Sequence, residues 1–598
     1  MPQPSSNRLS RLWPYLVRHW RLFLPGAVFL VATNFLALRI PRNLGAAIQT
    51  LRDATVANAP IDFEQVKIHT IAIAALALGA GTTRVLSRIL IFNGGRLVEY
   101  QVRNEVFDHL TRLDAATYGS QATGDLVSRC INDVTQIRLL FGVGILNLVN
   151  TAIAYLVVLT FMFGLSPRLA LLSLMPYPFI LLAMVGFTRA LYSRSRAAQA
   201  QLSVLSSQAQ EALSGVAVVK SFAIEPQISA QFRAASDEYV RRNLAVALVR
   251  GGLMPFMRVA AGVGTLIVVW FGGRAVIAGE LEIGQFVEFS GYVVGLAWPT
   301  MALGWVLSVY NRGSAAFDRT TQILDLQPNV DPRAPGLEAR PGAAEIRFEA
   351  VSLDYEDGTP ALRDVDLTIA PGSSLAIVGT TGGGKTSLVH LLPRLRDPTA
   401  GRVLVGGVDI RELTLPSLRA MIGYVPQDGF LFSKTLGENV LLGVRDDDPD
   451  TRRETLDTAV RMAGLEPDLP ALANGLSTIV GERGVTLSGG QRQRSTLARA
   501  LATNPDILIL DDALSAVDTK TERTILHSLA DVMSNRTTLL VTHRYAALEL
   551  VDRVVVIEGG RLIEQGTHSQ LIAAGGRYAE LVAKQELEAK ASSFGEES

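Results

Sequence analysis

The chain has 598 residues, too many for one hydrophobic core, so two or more domains are expected. Its 56 basic and 56 acidic side chains cancel, which gives no reason to expect nucleic acid as a partner. A hydrophobic content of 48% with a mean hydropathy of +0.26 is high for a wholly soluble protein, and the single cysteine, Cys130, excludes an intrachain disulfide.

A basic N-terminus (Arg8, Arg11, Arg18, Arg21) leads into an apolar run from Leu22 to Leu38. That run is too long for a signal core and has no small-residue cleavage site, so it reads as the first membrane span. Before it, Leu9, Leu12, Trp13, Leu16 and Trp20 recur at helical spacing among arginines. The pattern suits a helix in the membrane interface, and an ordinary packed amphipathic helix would share it.

Stretches able to cross roughly 30 Å of hydrocarbon fall at 22–41, 69–92, 142–164, 168–190, 254–277 and 284–308. Six spans put both ends on one side, and the charge pattern makes that side the cytoplasm. Arginines crowd 93–141 and 190–253, as the positive-inside rule requires of cytoplasmic segments. Leu165-Ser166-Pro167 and the loop from Gly279 to Gly284, with Glu280 and Glu282, are short and fall outside. The two cytoplasmic stretches lack Gly and Pro runs and read as helices projecting below the membrane. Their tips hold Tyr118 to Leu126 and Gly215 to Phe222.

Ionisable residues inside spans are functional candidates, which singles out Arg84, Arg88 and Arg258. Arg88 lies near the inner interface, where an arginine can snorkel to water. Tyr292, Trp298, Met301 and Trp305 on the sixth span are candidates to line an apolar cavity, with ordinary packing against lipid or neighbouring helices the favoured role for any one of them.

Residues 327–342 are rich in proline and charge without apolar period and read as a linker. The domain plan is a membrane domain at 1–325, a linker at 326–343, a nucleotide-binding domain at 344–585 and a polar tail at 586–598. From Ala344 onward, strand-like apolar runs alternate with helical ones, as in an α/β domain. Gly379-Thr380-Thr381-Gly382-Gly383-Gly384-Lys385-Thr386 fits the phosphate loop G-x-x-x-x-G-K-[ST], followed by Ser387. Its glycines let backbone N–H groups turn to the phosphates, Lys385 reaches the β/γ-phosphates, and the Thr386 hydroxyl suits Mg²⁺. Ile507-Leu508-Ile509-Leu510-Asp511 reads as a strand buried on both faces that ends on a carboxylate for the Mg²⁺ shell.

Leu487-Ser488-Gly489-Gly490-Gln491, about a hundred residues past the phosphate loop, resembles the signature of ABC-type ATPases. The two cytoplasmic tips resemble the coupling loops of ABC exporters with six spans per half. The chain is accordingly identified as a member of the ABC exporters: an all-α six-helix membrane domain fused to an α/β P-loop ATPase. The resemblance implies ATP and Mg²⁺ as ligands, and a dimer with a second half-transporter in membrane lipid. Each nucleotide would be sandwiched between one chain's phosphate loop and the other's signature, where Ser488, Gly489, Gly490 and Gln491 would hold the partner's γ-phosphate. The second coupling loop would reach the partner's ATPase.

The resemblance also assigns Tyr355 as the adenine platform and Gln427 as the Q-loop residue near Mg²⁺ and water. Val480-Gly481-Glu482-Arg483-Gly484 matches an exporter cross-talk loop, Ser515-Ala516-Val517-Asp518 the D-loop, and His543 the switch histidine. The departure is Asp512, where efficient members carry Glu as general base. Aspartate is shorter by roughly 1.5 Å, and a base must come within about 2.6–3.2 Å of the water proton.

The expected function is ATP-driven export, or leaflet flipping, of an amphipathic or hydrophobic substrate across a bacterial cytoplasmic membrane. The chain would be the slow-site subunit of a heterodimer. The alternatives are an ATP-gated, channel-like ABC protein and a homodimer that uses Asp512 as base.

Overall fold

The computed structural model describes residues 8–58, 60–342, 344–481, 487–515, 519–534 and 536–584. Glu482, Arg483 and Gly484 of the expected cross-talk loop, Ala516 to Asp518 of the D-loop, and the tail at 586–598 lie outside them. So do the side chains of Leu9 and Met301. The chain divides into two compact units, one of Met1–Leu110 with Thr123–Asp325, the other of Thr111–Ala122 with Leu326–Ser598.

In the first unit, six helices among the described residues are long and apolar enough to cross a membrane: Trp20–Val56, Phe63–Arg112, Thr123–Leu165, Pro167–Ser214, Glu225–Ile277 and Ile283–Leu324. Each contains one expected span and runs beyond it. The first continues through Pro41 to Val56. The second, of 50 residues, is about 75 Å long at 1.5 Å per residue. It shows Ile91, Val98, Val102 and Val106 as one buried stripe. Hydropathy marks only the apolar middle of such a helix, whereas the backbone hydrogen bonds continue into its polar ends.

The first and last of these helices touch at Gly45 and Gly284. A Cβ on Gly45 would stand 2.2 Å from the Gly284 carbonyl oxygen, so only glycine permits this approach. The buried Asp133 pairs with Arg319, whose Nε donates to Oδ2 at 2.8 Å. Arg8–Arg18 forms a helix before the first span. It packs as well as facing outward: Leu12 is buried and Tyr15 donates to Glu105 Oε2 at 2.8 Å, while Trp13 is exposed.

On the sixth span, Tyr292 packs within the helices. It is wholly buried, and its hydroxyl donates to the buried Glu288 Oε1 at 2.6 Å. Trp298 and Trp305 are exposed. Arg84, Arg88 and Arg258 are exposed as well.

Among the described residues the second unit carries ten strands: β1 (Ile346–Asp354), β2 (Pro360–Ile369), β3 (Ser374–Val378), β4 (Ala400–Val405), β5 (Val408–Asp409), β6 (Ile422–Val425), β7 (Ile507–Asp511), β8 (Thr537–Val541), β9 (Arg553–Glu558) and β10 (Arg561–Gly566). An antiparallel sheet runs β2-β1-β4-β5. A second sheet runs β10-β9-β3-β8-β7-β6, parallel except for β10. Every residue of β3, β7 and β8 is buried, as expected for strands covered on both faces. In the parallel sheet the loops leaving β3 and β7 emerge at the same edge, where ligands of α/β sheets gather.

The segment 111–122 belongs to this unit. Asp114 caps the short helix Ala115–Ser120 by accepting from Thr117 N at 2.9 Å, and its other oxygen accepts from the Asn329 N–H at 2.8 Å. Burial alone would raise the Asp114 carboxyl. The bonds from Thr117, Asn329 and Val330 outweigh it and hold it below the usual carboxylate value.

Candidate nucleotide site

β3 delivers Gly379 in the left-handed region, at φ +150°, where a Cβ would collide with the Ile557 carbonyl oxygen at 2.0 Å. Gly384, at φ +104°, precedes the helix Lys385–Leu391. Between them the loop turns back so that Lys385 Nζ donates to the carbonyls of Gly379, at 3.0 Å, and Thr380, at 2.9 Å. The lysine thus lies over its own loop, and burial lowers its pKa from the ordinary value. A phosphate group entering the loop would replace those carbonyls as its partner.

β7 ends on Asp511, 1% exposed, and Thr386 Oγ1 donates to its Oδ1 at 3.2 Å. Its Oδ2 is buried with no hydrogen-bond partner. Burial raises the Asp511 carboxyl above its usual value. An unpartnered carboxylate oxygen beside a threonine hydroxyl is an all-oxygen donor pair of the kind Mg²⁺ takes together with phosphate oxygens, so these residues fit that ion. Bound there, Mg²⁺ would spread the charge of the β- and γ-phosphates.

Asp512 follows in the left-handed region, at φ +49°, with its N–H bonded to the Val541 carbonyl at 2.9 Å. Its Oδ1 is 3.1 Å from His543 Nδ1. That bond raises the His543 pKa above its ordinary value, against a smaller lowering by burial. A cavity of about 650 Å³ collects Gly379 to Gly382, Lys385, Thr386, Gln427, Asp511, Asp512 and His543. Four expected site positions from three distant stretches of chain therefore share one space with the phosphate loop.

Two groups of expected residues stand elsewhere. Tyr355 does not line the cavity. Its hydroxyl is 2.6 Å from Ser387 Oγ, and the Arg396 guanidinium covers its ring at 5.0 Å. The signature does not line it either. Ser488 caps the helix Gly489–Ala502 in a reciprocal box, accepting from Gln491 N at 3.2 Å while its own N–H donates to Gln491 Oε1 at 3.0 Å. Ser488 and Gly489 are exposed.

Sequence reasoning missed several supporting groups. His390 Nε2 lies 2.9 Å from the Tyr424 hydroxyl, beside Asp511. Arg544 pairs with the buried Glu522 and donates to the Ser515 carbonyl at 2.8 Å. Leu548, Tyr578, Leu581 and Val582 complete the cavity wall. Apart from Arg544, which adjoins His543, these positions carry no local pattern that marks them.

Comparison with known proteins agrees with this geometry. The ABC transporter transmembrane region family matches residues 23–300, and the ABC transporter family matches 362–515. The probable multidrug resistance ABC transporter ATP-binding/permease protein YheI of Bacillus subtilis is 34% identical over 97% of this chain and 98% of its own. The multidrug resistance-like ATP-binding protein MdlA of Escherichia coli is 32% identical over 96% of each. The solved structure of a bacterial Atm1-family ABC exporter with ATP bound superposes with a TM-score of 0.75 at 27% identity, over 96% of this chain and 99% of that one. The chain therefore belongs to the ABC transporter family, as a bacterial inner-membrane exporter whose ATPase binds ATP with Mg²⁺ and couples its hydrolysis to transport.

Proposed function

We propose that this chain is one half of a heterodimeric exporter that drives an amphipathic or hydrophobic substrate across the membrane, or between its leaflets, and that its own ATP site turns over slowly. The relatives' association with multidrug resistance supports that substrate class. In this reading residues 1–325 form the membrane domain, 326–343 the linker and 344–585 the nucleotide-binding domain, with both termini in the cytoplasm.

Lys385, Gly379, Thr380, Thr381, Gly382, Gly383, Gly384 and Ser387 hold the phosphates; Thr386, Asp511 and Gln427 hold the Mg²⁺ shell. Tyr355 stacks on adenine with the ring face that Arg396 leaves open. His543 meets the γ-phosphate, and Asp512 is the base for the attacking water. Phosphoryl transfer of this kind rests on position and charge more than on covalent chemistry. Ser488, Gly489, Gly490 and Gln491 serve the partner's nucleotide, which the exposure of Ser488 and Gly489 outside this chain's cavity supports. The tip Val216–Ser221, with Val216, Val218 and Phe222 exposed, is the surface that docks on the partner's ATPase.

Asp512 carries the proposal. Its short carboxylate is already bonded to His543, and a misplacement of about 1 Å can cost on the order of a hundredfold in rate. The experiment is to purify the chain alone and with the half-transporter encoded beside it. In the pair, Ser488→Arg should abolish most turnover, because it sets bulk and charge against the partner's γ-phosphate. Asp512→Ala should do far less, since losing a working base would cost roughly 10²–10⁴-fold. A stable homodimer with robust ATPase that falls by that factor in Asp512→Ala would refute the heterodimer and favour the homodimer.

A further inference from the structure

Gln493 lies five residues past Ser488, on the helix that the signature begins. It is 6% exposed and faces the end of β7. Its Nε2 donates to Ser515 Oγ at 2.8 Å and stands 3.5 Å from the Asp512 carbonyl oxygen. Ser515 N in turn bonds to that carbonyl at 3.3 Å. From the opposite side Arg544, next to His543, donates to the Ser515 carbonyl at 2.8 Å. The turn 512–515 is therefore gripped by the signature helix on one side and by the switch segment on the other.

The helix can transmit a displacement. Its first turn is fixed by the Ser488–Gln491 box, and Arg494 is tied to Asp468 at 2.6 Å with its side chain 8% exposed. A shift at Ser488 must then move the helix as a body rather than fray its end. The receiving turn is sensitive. Asp512 is a non-glycine residue at φ +49°, a conformation that persists only when its surroundings hold it.

We propose that Gln493 is a positioning residue that couples the two composite ATP sites: its amide links the signature helix, which serves the partner's nucleotide, to the turn that carries this chain's Asp512. The proposal rests on the two-chain reading of the signature given above. Loading of one site then sets the geometry of the other, so steady turnover depends on ATP with a Hill coefficient above one.

The test uses the full complex in lipid nanodiscs and measures turnover against Mg·ATP concentration. In Gln493→Leu, which keeps the volume and removes the amide, the Hill coefficient falls to one, while kcat falls far less than in Ser488→Arg, because the turn that Gln493 positions belongs to the slow site. Ser515→Ala moves the coefficient the same way with a smaller loss of kcat. The double variant is no worse than Gln493→Leu, because both remove one link. A wild-type coefficient of one, an unchanged coefficient in a folded Gln493→Leu, or losses that multiply in the double variant would each overturn the proposal. If Gln493→Leu does not fold, Ser515→Ala decides by the same coefficient. Lys385→Ala is run in parallel. If it keeps wild-type turnover and cooperativity, the nucleotide-site reading has failed; if it loses both while Gln493→Leu is normal, only the coupling role falls.

Discussion

In the ATPase half, Asp511 and His543 lie more than a hundred residues past Lys385 and end in one cavity with it and the rest of the phosphate loop. In the membrane half, Arg84, Arg88 and Arg258 stand out in the sequence just as clearly and end exposed. Of the groups that pair there structurally, Asp133 falls in the Asn132-Asp133-Val134 run beside the first coupling-loop tip, whereas its partner Arg319 and the Glu288–Tyr292 pair carry no signature. Both halves obey the same packing rules. They differ in what the sequence encodes: one half encodes a ligand of fixed chemistry, the other a solvent. A phosphate and its cation prescribe residue types at set spacings, whereas a bilayer prescribes only apolar length.

The largest expected effect tests the ligand side of that contrast. Lys385→Ala removes the cation that lies across its own loop, 3.0 Å from the Gly379 carbonyl and 2.9 Å from that of Thr380. Mg·ATP affinity at this site should fall by about a hundredfold or more, on the scale of losing one preorganised charge-stabilising group. The protein should still fold and insert. Photolabelling of this chain by an ATP analogue at wild-type level would break the comparison.

Asp133→Asn tests the other side. The Asp133 carboxylate is buried and accepts from Arg319 Nε at 2.8 Å. Loss of a charge-assisted bond should cost about 1.5–3 kcal/mol of stability. Thermal unfolding in detergent should shift downward while nucleotide photolabelling persists. An unchanged midpoint would mean that the membrane half leans on apolar packing alone.

Tyr355→Ala sharpens the contrast inside the ATPase half, because Tyr355 was assigned by resemblance and does not line the cavity. With Arg396 over the ring at 5.0 Å, one face remains for adenine. Stacking is worth ~1–3 kcal/mol per base on an aromatic ring. ATP should weaken by that amount and tripolyphosphate should not. Equal losses for both would show that the variant disturbs the loop through the bond between the Tyr355 hydroxyl and Ser387 at 2.6 Å.

Legibility in the sequence follows the same division. The six spans, the phosphate loop, Asp511 and the strand before it were readable because hydropathy and a phosphate's geometry each leave a local pattern. The helix ends were not. Pro41 looks like a stop, yet the first helix runs through it to Val56, since a proline inside a packed helix costs one hydrogen bond that neighbours can offset. Burial of Tyr292 was unreadable for a different reason. Its partner Glu288 is one turn away, and only the tertiary fold decides whether that pair faces a cavity or the core. Gln493 sits two residues past the signature run, but its partner Ser515 is set by how β7 meets the helix Gly489–Ala502.

The smallest effect concerns pH, at the point where the ligand's chemistry and the chain's own folding meet. The His543 pKa is raised above 6.5 in the folded protein, first by its bond to Asp512 and then by that carboxylate's charge. A raised folded pKa means the folded state holds the proton more tightly than the unfolded one. The resulting stability is fully present below the unfolded pKa of about 6.5 and is lost as pH rises through the folded value. Asp512→Asn removes the carboxylate charge and returns His543 toward its ordinary value. The difference in melting temperature between wild type and Asp512→Asn should therefore be greatest in acid and fade on the alkaline side. It should be small throughout, because the His543 side chain is 64% exposed and water screens the pair. Activity should follow the same proton. The pH limb of turnover that reports His543 should move to lower pH in the variant. A limb that stays in place would detach the switch histidine from Asp512 and leave the carboxylate free to act as a base, on the side of the homodimer.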